Sequence, residues 1–165
     1  MMKKRVIGLF LFLTFTLVVS GTGCEQEKAN PSPSAVATPK NNMKTLTIYS
    51  INSDTMDLIP VRVKEDQQKL SEKYITSLVL ENLEEKDIII HKIKKQGKSV
   101  IVSFSSKGKP VKNCSEEMEN LILECFANSL LDNLKDCHKV IFRCDGRGYK
   151  SEHQSFEINE VYTSK

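Results

Sequence analysis

The chain has 165 residues, of which 39% are hydrophobic and none is tryptophan, and its formal net charge is +3 at pH 7. It has 24 basic and 21 acidic side chains, and Lys3, Lys4 and Arg5 account for the whole excess because no acid precedes Cys24. The remainder is neutral overall, which gives no global electrostatic reason to bind nucleic acid or an anionic surface.

The N-terminus carries the pattern of an export signal. A basic start precedes an apolar run of about 14 residues from Val6 to Val19, and small residues then lead to Cys24. This resembles a bacterial lipoprotein signal. The resemblance implies that residues 1–23 are removed and that Cys24 receives a lipid such as palmitate, which would hold the protein on the extracytoplasmic face of the cell membrane. The alternatives are an ordinary cleaved signal and a membrane-spanning helix, although the run is shorter than the roughly 20 residues that a span needs.

Residues 24–43 have the composition of a linker. They contain three of the five prolines and no aromatic residue. Such a segment cannot bury enough apolar surface to offset the entropy of ordering it, so we expect a disordered, Pro-rich linker after the lipid-attachment cysteine. Residues 44–165 are then left as one domain of ordinary size.

The period of the apolar residues predicts two helices and six strands in this domain. In chain order they are strands at Lys44–Ile51 and Leu58–Lys64, a helix at Gln67–Leu83, a hairpin of Asp87–Lys95 and Ser99–Ser105, a second helix, a strand at Lys139–Cys144 and a weaker strand at Gln154–Tyr162.

Turn and cap residues support these bounds. Pro60 cannot donate a backbone hydrogen bond, so it confines the second strand to an edge or a strand start. Asp66 is an N-cap candidate for the first helix. Gly97 can supply the positive φ of a tight hairpin, and Asp145-Gly146 is a turn signal after the strand at 139–144.

The second helix is the expected centre of the core. Asn113 or Ser115 can cap it, and Glu116 and Glu117 would then lie at its positive dipole end. Its apolar stripe comprises Met118, Leu121, Ile122, Cys125, Phe126, Ser129 and Leu130. Hairpin strands mixed with two helices predict an α+β fold, in which both helices pack on one face of an antiparallel or mixed sheet.

A family resemblance lies in residues 118–149. A helix ends in Ala127-Asn128-Ser129-Leu130, a turn follows at 135–137, and a strand with Val140-Ile141-Phe142 closes at Asp145-Gly146. This pattern resembles the GerMN domain of sporulation and spore-germination lipoproteins, over residues 44–162 and in a single copy. The resemblance implies a ring-building-type α+β fold that acts as a non-catalytic interaction module. Its expected partners are envelope or sporulation-complex proteins, with no cofactor and with oligomerisation left open.

Four polar or turn residues are the structural or interface candidates of the domain. Asn128 and Ser129 lie on the most apolar helix, where a buried amide needs several hydrogen-bond partners. We expect Asn128 to fasten the helix end to a neighbouring loop or strand, and an interface contact is the functional alternative. Asp145 and Gly146 are explained as a hairpin turn, which accounts for them better than a phosphate-binding loop does.

The remaining cysteines are Cys114, Cys125, Cys137 and Cys144, and an exported domain could pair them in three ways. We favour free thiols, because two of the four lie on predicted core faces. Spacings of 11, 12 and 7 residues lack the close pairs typical of zinc sites, so we expect no metal.

Catalytic signatures are absent from the sequence. It contains no Gly-rich phosphate loop, no G-x-S-x-G and no H-E-x-x-H, and its three histidines are scattered. We therefore expect no catalytic residue. The alternatives to an interaction module are an envelope hydrolase or small-ligand binder, which needs a concave site with convergent polar groups, and a wall-binding domain, which should be retained on peptidoglycan.

Overall fold

A computed structural model describes residues 42–163 of the chain. The predicted signal, Cys24 and nearly all of the predicted linker lie outside these residues. The elements are β1 (Met43–Asn52), β2 (Asp57–Asp66), α1 (Glu72–Asn82), β3 (Ile90–Gln96), β4 (Ser99–Phe104), α2 (Glu116–Asn133), β5 (Lys139–Cys144), β6 (Arg147–Lys150) and β7 (Ser155–Phe156).

The strands form two sheets. β1 and β2 make an antiparallel pair in which Pro60 lies opposite Tyr49, and β2 is the edge strand that Pro60 predicts. The second sheet has the order β3-β4-β5-β6-β7. Its β4–β5 pair is parallel, with α2 as the crossover, and its other pairs are antiparallel. The α+β fold with a mixed sheet is confirmed.

The two helices close the core between the sheets. α2 packs against α1, β1, β2 and β5, and α1 packs against β1 and β3. The centre is aromatic, since the ring of Phe104 lies 5.4 Å from that of Phe126 and 5.8 Å from that of Phe142. Alternate residues of β4 and β5 belong to the hydrophobic core, namely Val100, Val102, Phe104, Val140 and Phe142. The residues between them lie on the other side of the sheet, which no described helix covers and which we call its open face, although Ile101, Ser103 and Ile141 are themselves largely buried there.

The N-cap residues show that the predicted start of the first helix is wrong. The first helix begins at Glu72, because the Ser71 side chain accepts the Tyr74 N–H and so caps it. The Asp66 side chain accepts from Gln68 and caps a separate 3₁₀ turn, Gln67–Lys69. The second helix is capped by Ser115, and Asn113 adopts a positive φ outside it.

The end of the domain differs from the prediction of a single strand at 154–162. The alternating residues there pair only at Ser155–Phe156, opposite β6. Beyond β7 the chain returns to the second sheet, where the Tyr162 N–H donates to the Val140 carbonyl at 2.9 Å. The preceding turn matches its prediction, because Asp145 and Gly146 both have positive φ, as a tight two-residue hairpin requires.

Candidate functional site

The unpaired edge of β1 is bound by two polar side chains of α2. The Thr47 N–H donates to Asn133 Oδ1 at 3.1 Å, and Asn133 Nδ2 donates to the Thr47 carbonyl at 2.7 Å. The Tyr49 N–H donates to Ser129 Oγ at 2.9 Å. These bonds satisfy strand groups that would otherwise face the apolar side of a helix.

Asn128 lies half-buried on the same helix. Within residues 42–163 the structure records no hydrogen bond from its side chain. Asn133 makes the kind of contact that we expected of Asn128, and an interface role for Asn128 stays a prediction. Asn133, the last residue of α2, was not among the residues that the sequence singled out.

A cleft of about 470 Å³ lies on the open face of the second sheet, and we call it the open-face cleft. β3 forms one wall of the cleft and the adjacent strand β4 forms its floor. β5 and the β5–β6 turn form the other wall. The lining residues are His91, Lys92, Lys94, Ile101, Ser103, Arg143, Asp145 and Gly146. Two of the sequence-predicted candidates, Asp145 and Gly146, therefore line a concave surface, whereas Ser129 lies on α2, which covers the opposite face.

The open-face cleft has an excess of positive charge. Lys92, Lys94 and Arg143 line it, and Asp145 is the one carboxylate among its lining residues. In the described part of the chain, neither Lys92 nor Lys94 has an ion-pair partner. Their neighbour Lys95 points to the other face and pairs with Asp136 at 3.5 Å.

Asp145 is held by His91 on β3 and by Ser106 in the turn that follows β4. Its Oδ1 lies 3.0 Å from His91 Nε2, and the Ser106 N–H approaches both of its oxygens at 3.4 Å. Hydrogen bonds from Ser106, assisted by the charges of His91 and Arg147, hold the pKa of Asp145 below its usual range. Asp145 therefore stays ionised and fixes the imidazole at the rim of the cleft.

A second concavity, of about 460 Å³, lies between α1 and the free edge of β3, and we call it the edge groove. Leu80, Ile90 and Ile93 supply its apolar body, and Lys73 and Lys92 are charged residues in its lining. Ile89, at its end, is a large apolar side chain with 44% of its surface exposed.

The four thiols of the described residues are free. Burial raises the pKa of Cys125 to about 12 and that of Cys114 to about 11, and it also raises the pKa of Cys137 and of Cys144. A thiol nucleophile reacts as the thiolate, so none of these is activated at neutral pH. Residues 42–163 contain no group of three acids, histidines or cysteines that could hold a metal ion.

One buried carboxyl group, that of Glu119, was not predicted from the sequence. Glu119 is fully buried in the first turns of α2, and it accepts hydrogen bonds from Tyr149 Oη at 2.7 Å and Ser151 Oγ at 2.9 Å. Burial, together with the hydrogen bond to Glu119, raises the pKa of Tyr149. The signal available in the sequence was an acid directly after Met118 on an apolar helix face, but first-turn acids are usually solvated dipole partners.

Neither helix of the described residues is long and apolar enough to cross a bilayer. No protein-family model matches the chain, and no curated protein is significantly similar to it.

The solved structures that are similar to the chain include the following two. One holds the tandem GerMN domains of the sporulation protein GerM from Bacillus subtilis, with 16% identity and a TM-score of 0.49 over 81% of this chain. The chain spans 50% of that structure. The other is a candidate lipoprotein from Clostridium perfringens, with 12% identity and a TM-score of 0.39 over 72% of this chain and 89% of that one. No functional residue is carried over from either protein.

Proposed function

We propose that the protein is a lipoprotein anchored through Cys24 to the extracytoplasmic face of the cell membrane, and that its folded domain is a non-catalytic interaction module. The signal pattern at residues 3–24 supports the anchor. The GerMN resemblance of residues 118–149 supports a role in assembling envelope complexes during sporulation or spore germination.

The observation that carries the interaction role is the unpaired edge of β3 beside the edge groove. An edge strand directs half of its backbone N–H and C=O groups away from its sheet. An extended segment of a partner can pair with such groups and place alternate side chains in an adjoining apolar groove. Leu80, Ile90 and Ile93 would receive those side chains here.

The charge of the groove defines the chemistry of the partner. Lys73 and Lys92 line it, and no acidic residue does. Exposed lysines on an edge strand also discourage pairing with unrelated apolar segments. We therefore expect a partner segment that alternates apolar residues with Asp or Glu, which satisfies both the groove and its rim.

Hydrolase chemistry has weaker support. His91 has a carboxylate partner in Asp145, but Ser103 Oγ is engaged as the acceptor of the Gly146 N–H at 3.0 Å, and no described bond joins it to His91. The thiols have raised pKa values, and a nucleophile without a base or a depressed pKa is not activated.

Site-specific crosslinking of the full chain in cells tests the proposal. A photo-crosslinking amino acid at Ser77, in the edge groove, should capture a defined partner in sporulating cells, and the same group at the exposed Glu117 on α2, which does not line the groove, should not. Lys73→Glu should weaken capture at Ser77, whereas Lys64→Glu, on strand β2, which does not line the groove, should not. Mass spectrometry of the adduct then distinguishes a second copy of this chain from another protein.

Three results would count against the proposal or a part of it. Equal capture from Ser77 and Glu117 would show that the groove has no special role. Recovery of wall fragments alone, in growing cells as well as sporulating ones, would favour a wall-binding function. If a Cys24→Ala variant stays in the membrane fraction after signal cleavage, a lipid on Cys24 does not anchor the protein.

A further inference from the structure

The register of the second sheet places a short side chain between two long cationic ones. Lys92 pairs with Ser103, Ser103 with Arg143, and Arg143 with Gly148, so these four residues form one row across four strands. Strands in a sheet lie about 4.8 Å apart, so Lys92 and Arg143 stand roughly 10 Å apart with the small serine between them. The row therefore forms a trough with a cation on each side.

Arg143 is oriented before any ligand arrives. Its Nε donates to the Ile158 carbonyl at 2.9 Å, and its Nη2 donates to Asn159 Oδ1 at 3.0 Å. Within residues 42–163 its Nη1 has no hydrogen-bond partner. A guanidinium fixed in this way loses little conformational freedom when it binds an anion, which favours affinity.

The floor of the trough offers a further donor. Ser103 has 4% of its surface exposed, and its oxygen accepts the Gly146 N–H at 3.0 Å. No described acceptor takes its hydroxyl proton. The second row of the face places Ile101 beside Lys94, so an apolar surface adjoins the cationic one.

Edge protection does not account for these charges. Lysines on the edge strand β3 can be explained as residues that prevent pairing with another chain. Arg143 cannot be explained in this way, because it lies on β5, which is hydrogen-bonded to a strand on each side. The cations on the cleft also lack carboxylate partners, whereas Lys95 on the same strand has one. The three cations outnumber Asp145, the one carboxylate among the lining residues, and this excess favours an exogenous anion as a further partner.

We propose that the open-face cleft binds the phosphate group of a phosphate ester, with Lys92, Lys94 and Arg143 around the anion, the Ser103 hydroxyl beneath it and the carbon part of the ester against Ile101. A phosphate group has several acceptor oxygens and suits convergent charged donors. A cleft of about 470 Å³ has the size of a small-molecule site. The cleft shares His91 and Lys92 with the edge groove, but Lys94, Ser103 and Arg143 line the cleft alone, so substitutions at these three residues test the cleft separately.

Equilibrium dialysis of the full chain in maltoside micelles, with radiolabelled glycerol 3-phosphate as the probe, tests the site. We expect saturable binding that Lys94→Gln and Arg143→Lys each weaken by about tenfold, since a charge-assisted hydrogen bond is lost in each case. Lys95→Gln is the matched control, because it removes an equal charge from the same strand but from the opposite face. It should change the affinity by less than about twofold.

A second arm identifies the source of the phosphate. Phosphatidylglycerol added to the micelles should compete with the probe if the natural ligand is a lipid headgroup, and should leave probe binding unchanged if it is a soluble ester. Both results support the site. Absence of saturable binding, or an equal loss in Lys94→Gln and Lys95→Gln, would overturn it. The Lys94 side chain makes no described hydrogen bond or ion pair, so its substitution should leave the fold intact.

Discussion

Asn133 joins α2 to the edge of β1, and its truncation gives the sharpest test of how the two layers are held together. Asn133→Ala removes the acceptor of the Thr47 N–H and the donor to the Thr47 carbonyl, and it also removes a hydrogen bond of 2.7 Å to the Ser129 carbonyl. Asn133 has only 5% of its surface exposed, so water cannot replace these partners freely.

The size of the effect follows from those bonds. A typical hydrogen bond contributes about 1 kcal/mol net, and a buried group left unsatisfied costs about 1–3 kcal/mol. Thr47 is half-buried, so solvent can reach part of its backbone after the truncation. We therefore expect Asn133→Ala to lower the free energy of unfolding by about 2–4 kcal/mol, measured by urea denaturation at constant m-value.

Asn128→Ala is the matched control for this experiment. It makes the same chemical change on the same helix, at a half-buried position without a described hydrogen bond, and it should alter the unfolding free energy by less than about 0.5 kcal/mol. Equal losses for the two variants, or a loss below about 1 kcal/mol for Asn133→Ala, would refute the view that α2 fastens the edge of β1 through this side chain.

Two further predictions concern the β5–β6 hairpin. A Cβ at Gly148 would lie 2.7 Å from the Phe156 carbonyl oxygen, whereas one at Gly146 meets nothing within 4 Å and costs only the strain of its φ of +79°. Gly148→Ala should therefore lower the unfolding free energy by more than the roughly 1 kcal/mol expected for Gly146→Ala, and the reverse order in urea denaturation would contradict the close packing of β7. The second prediction concerns stability in acid. The pKa of Asp145 is lower in the folded chain than its usual value of about 3.9. The contribution of Asp145 to the free energy of unfolding is therefore present above about pH 3.9 and is lost as the pH falls through the pKa of the folded state. Asp145→Asn, which tolerates the positive φ of this turn, should make the melting temperature fall less steeply below about pH 4, and an unchanged slope, as expected for the control Asp54→Asn, would contradict this assignment.

Local signals in the sequence defined most of the elements. β5 was predicted to the residue because its alternation is regular and Asp145-Gly146 ends it. The start of α1 was wrong because Asp66 was the predicted N-cap, whereas Asp66 caps a 3₁₀ turn and Ser71, five residues later, caps the helix. Only the packing of Ile75 and Val79 against the core decides between them.

The candidate sites were less predictable because they depend on which strands become neighbours. The sequence groups Lys92, Lys94 and Lys95 as one basic cluster, but a strand turns alternate residues to opposite faces, so only two of them share the cleft. Arg143 joins those two because β4 and β5 pair in parallel, and no local pattern in either strand specifies that pairing. Burial of Glu119 likewise depends on Tyr149 and Ser151, which reach it from the far end of the sheet.

The contact of α2 with both sheets has a consequence for how the domain opens. Because one helix completes the apolar interior of the β1–β2 pair and also forms the crossover between β4 and β5, neither sheet can detach without exposing the side chains that cover the other. The domain should therefore behave as a single cooperative unit. Amide protons in the middle of β1 and of β5 should exchange with solvent only through the same global opening, whereas those of the short strand β7 should exchange through local fraying.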